Sequence, residues 1–409
     1  MLAAPGRSDA GRLIAGVDSG SDWYWSNRLA AAILRRMTRS EIALLMSTYQ
    51  RPTHLRRALE SIALQEGVDG RMQLVITDDG STDETPEIVR QFAKSVPFEV
   101  GFTTHPHTTF QLARCRNEGV RASRAPYMLF LDGDCVLPRD HVRIHLERRK
   151  PGTVMAGDFC RLDEATSGRV TPEAVRSGEL AAWASASELA RLRKQDRSSR
   201  FYRLIRHPTK PKLIGNNVGI WRSDFERVNG YDENFKGWGC EDDDLRRRLR
   251  RAGVVIESIL RWTHTYHLWH PVDVTAPAQW KQGANVEYYQ RKGRLTRCRN
   301  GLAKRDLQDL AIRVVGSTSL PRLASQFTQG RFASDQSARP EVEILFLPGV
   351  GRFSGRADCN VLVALEPQAA HSPLARQAHL MIAPQAAANF DRRALFSLDD
   401  FDQALAAVA

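Results

Sequence analysis

Three acidic clusters stand out in the chain: Asp78-Asp79, Asp132-Gly133-Asp134 and Glu241-Asp242-Asp243-Asp244. Asp78-Asp79 runs into Gly80-Ser81, which is good turn chemistry and equally an acceptor for the base and ribose of a nucleotide. Asp132-Gly133-Asp134 follows five apolar residues, Tyr127 to Leu131. Two hard oxygen donors there suit Mg²⁺ or Mn²⁺, which leave coordination positions open for diphosphate oxygens. The glycine between them lets the backbone approach a ligand closely. The third cluster follows Gly237-Trp238-Gly239-Cys240 and precedes a run of arginines. Acids at a helix start and bases later complement the helix dipole, and Asp242–Arg246, Asp243–Arg247 and Asp244–Arg248 have helical pair spacing. That accounts for a helix but not for the glycine-flanked tryptophan, whose flat side chain on a flexible loop suits a sugar ring. Downstream, His264, His267 and His270 lie with Trp262 and Trp269 in nine residues, which adds candidate metal ligands.

The elements needed to position these groups are legible. Ile42 to Met46 reads as a buried strand, Ser47 to Pro52 as a turn, and Thr53 as the cap of a helix with apolar Leu55, Ala58, Leu59 and Ile62. Leu74 to Thr77, Val100 with Phe102, and Tyr127 to Leu131 read as further strands, with helices over Thr82 to Lys94 and Gln111 to Ser123. Alternating strands and helices predict an α/β fold with a mostly parallel sheet flanked by helices. Ligands of such sheets bind beyond the carboxyl ends of the strands, where the first two acidic clusters fall. Residues 161–212 read as a helical or irregular insertion, and 213–221 as the start of a second half. The division expected is an N-terminal extension (1–39), a catalytic-type domain (40–302), a polar linker (303–340) and a small α/β unit (341–409) with strands at Glu343 to Leu347, Asn360 to Leu365 and His379 to Ile382, and a helix after Asp399.

Bulk composition narrows the class. The 409 residues are 42% hydrophobic with a net charge of +12. No stretch approaches the roughly 18 to 20 apolar residues needed to span a bilayer, and Leu29 to Leu34 is too short for a signal-peptide core. Six scattered cysteines without Cys-x-x-Cys spacing suit unpaired thiols in a reducing compartment. The expectation is a cytoplasmic protein, with peripheral contact at the inner face of the membrane allowed by its charge. The basic residues accompany no nucleic-acid motif, so no nucleic-acid partner is expected.

The motifs together resemble family 2 glycosyltransferases of the GT-A fold, a Rossmann-like nucleotide-diphospho-sugar transferase architecture. Ser47-Thr48-Tyr49-Gln50-Arg51-Pro52, Asp78 to Asp83, Ala113 to Gly119 and Phe130 to Asp134 follow that family's first half in order. Asn216 to Ile220, Gly230 to Phe235 and Gly237 to Asp242 are similar to β-1,4-galactosyltransferases and to bacterial chondroitin-polymerase type enzymes. Coverage runs over about residues 40 to 290. The resemblance implies that Thr48, Tyr49, Arg51, Asp79, Arg116, Asp132 and Trp238 hold the donor. It implies Asp134 as direct metal ligand beside Asp132, His267 as a further ligand with His270 its rival, and Asp242 as catalytic base beside Glu241. The cofactor implied is Mn²⁺ or Mg²⁺. Cys240 departs from the pattern, since relatives often carry Gly or His there.

The reaction implied is inverting transfer of a sugar from a nucleotide-diphosphate sugar, a UDP-sugar first, to the hydroxyl of a carbohydrate or glycolipid acceptor, in bacterial polysaccharide or glycoconjugate synthesis. The alternative is a non-catalytic nucleotide-sugar or carbohydrate-binding protein on the same fold. A nucleotidyltransferase would need a glycine-rich loop after the first strand, and residues 47–52 hold no glycine. Donor sugar, linkage, single addition against polymerisation and oligomeric state are not encoded in these motifs.

Overall fold

The computed structural model describes residues 40–271 without a break, most of 282–315 and of 339–383, and strand pieces at 25–26 and 394–396. Most of the N-terminal extension, much of the expected linker and the helix expected after Asp399 lie outside the described residues.

The chain order is β1 (Trp25–Ser26), β2 (Ile42–Thr48), α1 (Pro52–Ala63), β3 (Met72–Asp78), α2 (Thr85–Ser95), β4 (Glu99–Thr104), α3 (Leu112–Ala122), β5 (Tyr127–Asp132), β6 (Cys135–Val136), α4 (His141–Arg148), β7 (Thr153–Ala156) and β8 (Phe159–Arg161). Four helices fill the insertion: α5 (Glu164–Gly168), α6 (Pro172–Ser177), α7 (Leu180–Trp183) and the long α8 (Ala186–Leu204). Then come β9 (Asn217–Trp221), α9 (Arg222–Arg227), α10 (Glu241–Arg251), β10 (Val255–Ser258), β11 (Thr265–His267) and α11 (Ala284–Gln290).

The main sheet has the order β1-β4-β3-β2-β5-β9-β7-β10. Strands β2 to β5 are mutually parallel, whereas β9 runs antiparallel to both β5 and β7. Every residue of β2 and β3 is buried, as expected of central strands covered on both faces. Alternate residues feed two cores. Ile42, Leu44 and Met46 pack with α1 and α2, and Ala43 and Leu45 pack with α3, α9 and α10.

Two local expectations change. Arg51, not Thr53, occupies the N-cap of α1, without a side-chain cap, because Pro52 opens the first turn; proline is preorganised for that place. Helix α2 starts at Thr85, where the Asp83 carboxylate accepts the Thr85 N–H at 2.9 Å.

A second sheet, β12 (Ile312–Val315), β13 (Val342–Leu347), β14 (Cys359–Ala364), β15 (Leu380–Ile382) and β16 (Ala394–Phe396), is parallel throughout. It has apolar clusters on both faces. Strand β12 lies inside the stretch read from sequence as linker, so the linker's boundaries do not hold. Ile312 is a buried member of the same cluster as Val342 and Val361, and that burial draws the strand into the C-terminal unit. Among the described residues no helix is long and apolar enough to cross a membrane.

Candidate active site

The carboxyl ends of β2, β3 and β5 converge. Thr48 lies opposite Asp78, and Ser47 opposite Asp132. The Gly133 N–H donates to Ser47 O at 2.8 Å. A Cβ at Gly133 would sit 3.0 Å from Thr48 Oγ1, so this close approach of two loops leaves little room for a side chain.

Asp134 is brought to two imidazoles by a third, small sheet. Strand β11 pairs antiparallel with β6, with His267 opposite Cys135, and the Leu268 N–H donates to Asp134 O at 2.9 Å. Asp134 then lies 3.7 Å from His267 Nε2 and 3.3 Å from His270 Nε2. One ligand atom from each of the three lies within 4.8 Å of the others. One carboxylate and two imidazoles fit a divalent transition metal such as Mn²⁺ better than Mg²⁺, which favours oxygen alone. Arg51 Nη1 also touches Asp134 Oδ2, at 2.8 Å. Burial alone would raise the Asp134 carboxyl, but His270, His267 and Arg51 hold it well below the usual range. Burial lowers His267, the direction that favours the neutral ring a metal ligand needs. His264 faces elsewhere and packs edge-on to Tyr266.

Asp132 takes a different role in this geometry: it turns to Arg116 Nη2 at 3.4 Å and is absent from the Asp134 group among the described residues. Arg116 is almost wholly buried, and its Nη1 donates to Asp242 Oδ1 at 2.9 Å and lies 3.9 Å from Glu241. One guanidinium thus ties the end of β5 to the start of α10. A Cβ at Gly215 would fall 2.2 Å from Arg116 Nη1, so a larger residue there would have to displace the guanidinium. Burial, outweighing Arg116, pushes Asp132 up to about 6. Burial and then the neighbouring Asp242 push Glu241 up to about 7.

Asp242 also accepts the Tyr231 hydroxyl at 3.0 Å and the Gly215 N–H at 2.8 Å. The surface pairs expected from spacing do not form for Asp242 or Asp243 with residues four further on. Asp242 faces the sheet, Arg246 turns back to Asp243, and Arg247 pairs with Asp244. Asp244–Arg248 does form, fully buried, at 2.7 Å. Arg248 also donates to Val228 O and Gly230 O, which locks α10 in place. Gly237, Gly239 and Cys240 all have positive φ, 75°, 92° and 71°. Cys240 therefore occupies a conformation that favours glycine. Trp238 stacks on Phe110 with ring centroids 4.5 Å apart.

On the far side of the strand ends, Tyr49 stacks on His107 at 4.3 Å. Asp79 is buried and already engaged: it accepts His105 Nε2 at 2.9 Å and the Gln111 N–H at 3.1 Å. His105 Nδ1 meets Glu118 at 2.9 Å. Burial pulls His105 down, but hydrogen bonds to Asp79 and Glu118 outweigh it and lift its pKa to about 9. Tyr231 and Glu118 stand inside the motifs Gly230 to Phe235 and Ala113 to Gly119 but were given no role there, and Gly215, His105, His107 and Phe110 were not among the expected site residues. The pair His105-Pro106-His107 directly after a strand was a further visible signal.

Residues 43–219 match the family model for glycosyl transferase family 2, and residues 199–271 match that for the N-terminal domain of galactosyltransferase. The validoxylamine A glucosyltransferase of Streptomyces hygroscopicus is 28% identical over 52% of this chain and 48% of its own length. The chondroitin synthase of Escherichia coli is 22% identical over 59% of this chain and 37% of its own. The chain thus spans about half, or less, of the length of these curated relatives. The solved mannosyltransferase of Pyrobaculum calidifontis, in complex with GDP-Man and Mn2+, superposes with a TM-score of 0.41 at 15% identity, covering 59% of this chain and 64% of that one. With both family models in sequence over residues 43–271, the chain carries a glycosyltransferase domain of family 2.

Proposed function

We propose that the protein is an inverting glycosyltransferase that moves a sugar from a nucleotide-diphosphate sugar, a UDP-sugar first, to an acceptor hydroxyl on a carbohydrate or glycolipid. The observation that carries this reading is Arg116, which joins Asp132 at the donor-side strand end to Asp242 and Glu241 at the helix start. That guanidinium keeps the candidate base beside the strand end at the donor side, and a single displacement needs base and donor close together.

In this reading Tyr49, stacked on His107, offers an aromatic platform to the nucleobase, with Thr48 and Asp79 at the ribose. Asp134, His267 and His270 would hold a divalent cation, with Asp132 at the end of the same strand, turned to Arg116. Such a cation, when bound, neutralises charge on the leaving diphosphate, and Arg51 beside Asp134 adds a second positive group. Trp238 on its Phe110 stack bounds the sugar site. Asp242 accepts the acceptor's proton as the hydroxyl oxygen attacks the anomeric carbon opposite the leaving group. Its three donors, Arg116, Tyr231 and Gly215 N–H, fix where the carboxylate points. One displacement inverts the anomeric configuration.

A role in bacterial polysaccharide or glycoconjugate synthesis, in the cytoplasm, is the setting this chemistry suits. The test is a mass-spectrometric screen of nucleotide sugars for hydrolysis with added Mn²⁺, followed by NMR of the transferred product. Hydrolysis of one donor and an inverted product are expected. A folded protein that binds nucleotide sugars but turns over none would favour a binding protein on the same fold. A retained anomeric configuration would refute the single displacement.

A further inference from the structure

Among the described residues five large apolar side chains are exposed, and three of them are neighbours at the end of α8: Phe201 (56%), Leu204 (80%) and Ile205 (50%). At 3.6 residues per turn, Arg193, Lys194, Arg197, Arg200, Phe201 and Leu204 share one face about 120° wide. No acidic residue lies on it. Of the helix's acids, Asp196 is buried and meets only Arg200 from this face, and Glu188 meets Arg161 and Arg191, which leaves Arg193, Lys194 and Arg197 as the outward cations. The chain that follows, Arg206 to Lys212, adds Arg206, Lys210 and Lys212 and again no acid.

We infer that this face of α8, with the turn after it, docks on an anionic lipid surface. The cations are placed to meet lipid phosphates, and Phe201, Leu204 and Ile205 to enter the headgroup–acyl boundary, the pattern of helices that lie in a membrane interface. A nucleic acid would use the cations but would leave exposed aliphatic Leu204 and Ile205 with nothing to bury them.

The surface is mechanically tied to the catalytic groups. Arg250, on α10, donates to Pro208 O at 2.8 Å and Lys210 O at 3.1 Å. The same segment continues to Gly215, whose N–H holds Asp242. Helix α10 thus carries both the proposed base and the anchor of the docking segment, which suits an acceptor held at a lipid surface. The docking claim does not depend on the transfer reaction, because it is read out on vesicles without donor or acceptor.

The experiment is cosedimentation of the full chain with phosphatidylcholine vesicles, with and without phosphatidylglycerol as about a third of the lipid. Three variants accompany the native chain: Leu204→Ser with Phe201→Ser, Arg193→Glu with Arg197→Glu, and a control, Arg90→Glu, on α2. Binding to the anionic vesicles only is expected, weakened about tenfold or more by either α8 variant and unchanged by the control. Unchanged thermal melting and nucleotide affinity keep a folding defect separate. Equal binding to neutral vesicles, no vesicle binding by the native chain, or full binding by the α8 variants would overturn the proposal. So would a native dimer that Leu204→Ser with Phe201→Ser converts to monomer in the absence of lipid-dependent binding, since the face would then belong to a second copy.

Discussion

Replacing Asp242 by asparagine tests the assignment of the base with little change of shape. The carboxylate accepts from Arg116 and Tyr231 on Oδ1 and from the Gly215 N–H on Oδ2. The amide keeps its oxygen for Arg116 and Tyr231, but its NH2 then faces Gly215 N–H, donor against donor. Loss of one charge-assisted hydrogen bond costs about 1.5 to 3 kcal/mol, which lowers the melting temperature by roughly 2 to 4 °C in a chain of this size. The fold should survive, since Asp244–Arg248 and the strands are untouched. Removing the proton acceptor should lower turnover about 10² to 10⁴-fold, or roughly 2.7 to 5.5 kcal/mol of barrier. Donor affinity should stay within about threefold because Tyr49, Asp79 and Asp134 make no contact with this side chain in the structure. The assay pairs single-turnover rate with the nucleotide-sugar dissociation constant, on Asp242→Asn and on Glu241→Gln. Near-native turnover in Asp242→Asn, with collapse in Glu241→Gln, would refute the assignment and move the base to Glu241, whose carboxyl burial already lifts to about 7. Lost donor binding in Asp242→Asn would instead mean that the Arg116 network serves the donor.

For the cation, His267→Ala and His270→Ala should each raise the Mn²⁺ concentration for half-maximal activity by about tenfold or more; a variant with native metal response removes that histidine from the set. His105 has a folded pKa above its unfolded value, so its contribution to stability is complete below about 6.5 and is lost as pH rises through about 9. The melting-temperature deficit of His105→Gln should therefore be largest in acid and vanish in alkali, and a deficit independent of pH would show that the imidazolium charge is irrelevant. A chain ended after Arg305 should bind nucleotide sugar within about tenfold of the full chain, since the site residues touch none of β12 to β16. Its solubility should fall, because Leu295 packs in the C-terminal core and Arg305 pairs with Glu341. A larger loss of affinity in folded protein would mean that the C-terminal sheet supports the donor site.

Much of the architecture was legible in local pattern. Buried strands such as Ile42–Thr48 and Tyr127–Asp132 begin with continuous apolar runs, and acids placed directly after those runs must emerge at strand ends because a parallel sheet presents those ends together. Short-range pattern failed where tertiary contact sets the outcome. The ion pairs expected on α10 assumed a solvated helix face, but Arg116 from α3, 126 residues away, competes for Asp242. Thr53 looked like a cap until Pro52 took the first helical position. Strand β12 lacks a clear period and exists because its partner β13 covers it. The sequence by itself determined which residues are acidic, cationic or apolar and roughly where strands end. Only the tertiary structure decided that Asp134 faces two imidazoles while Asp132 faces Arg116, because β11 delivers His267 beside Cys135 across a strand pairing of residues more than 130 apart, and no local spacing encodes such a register.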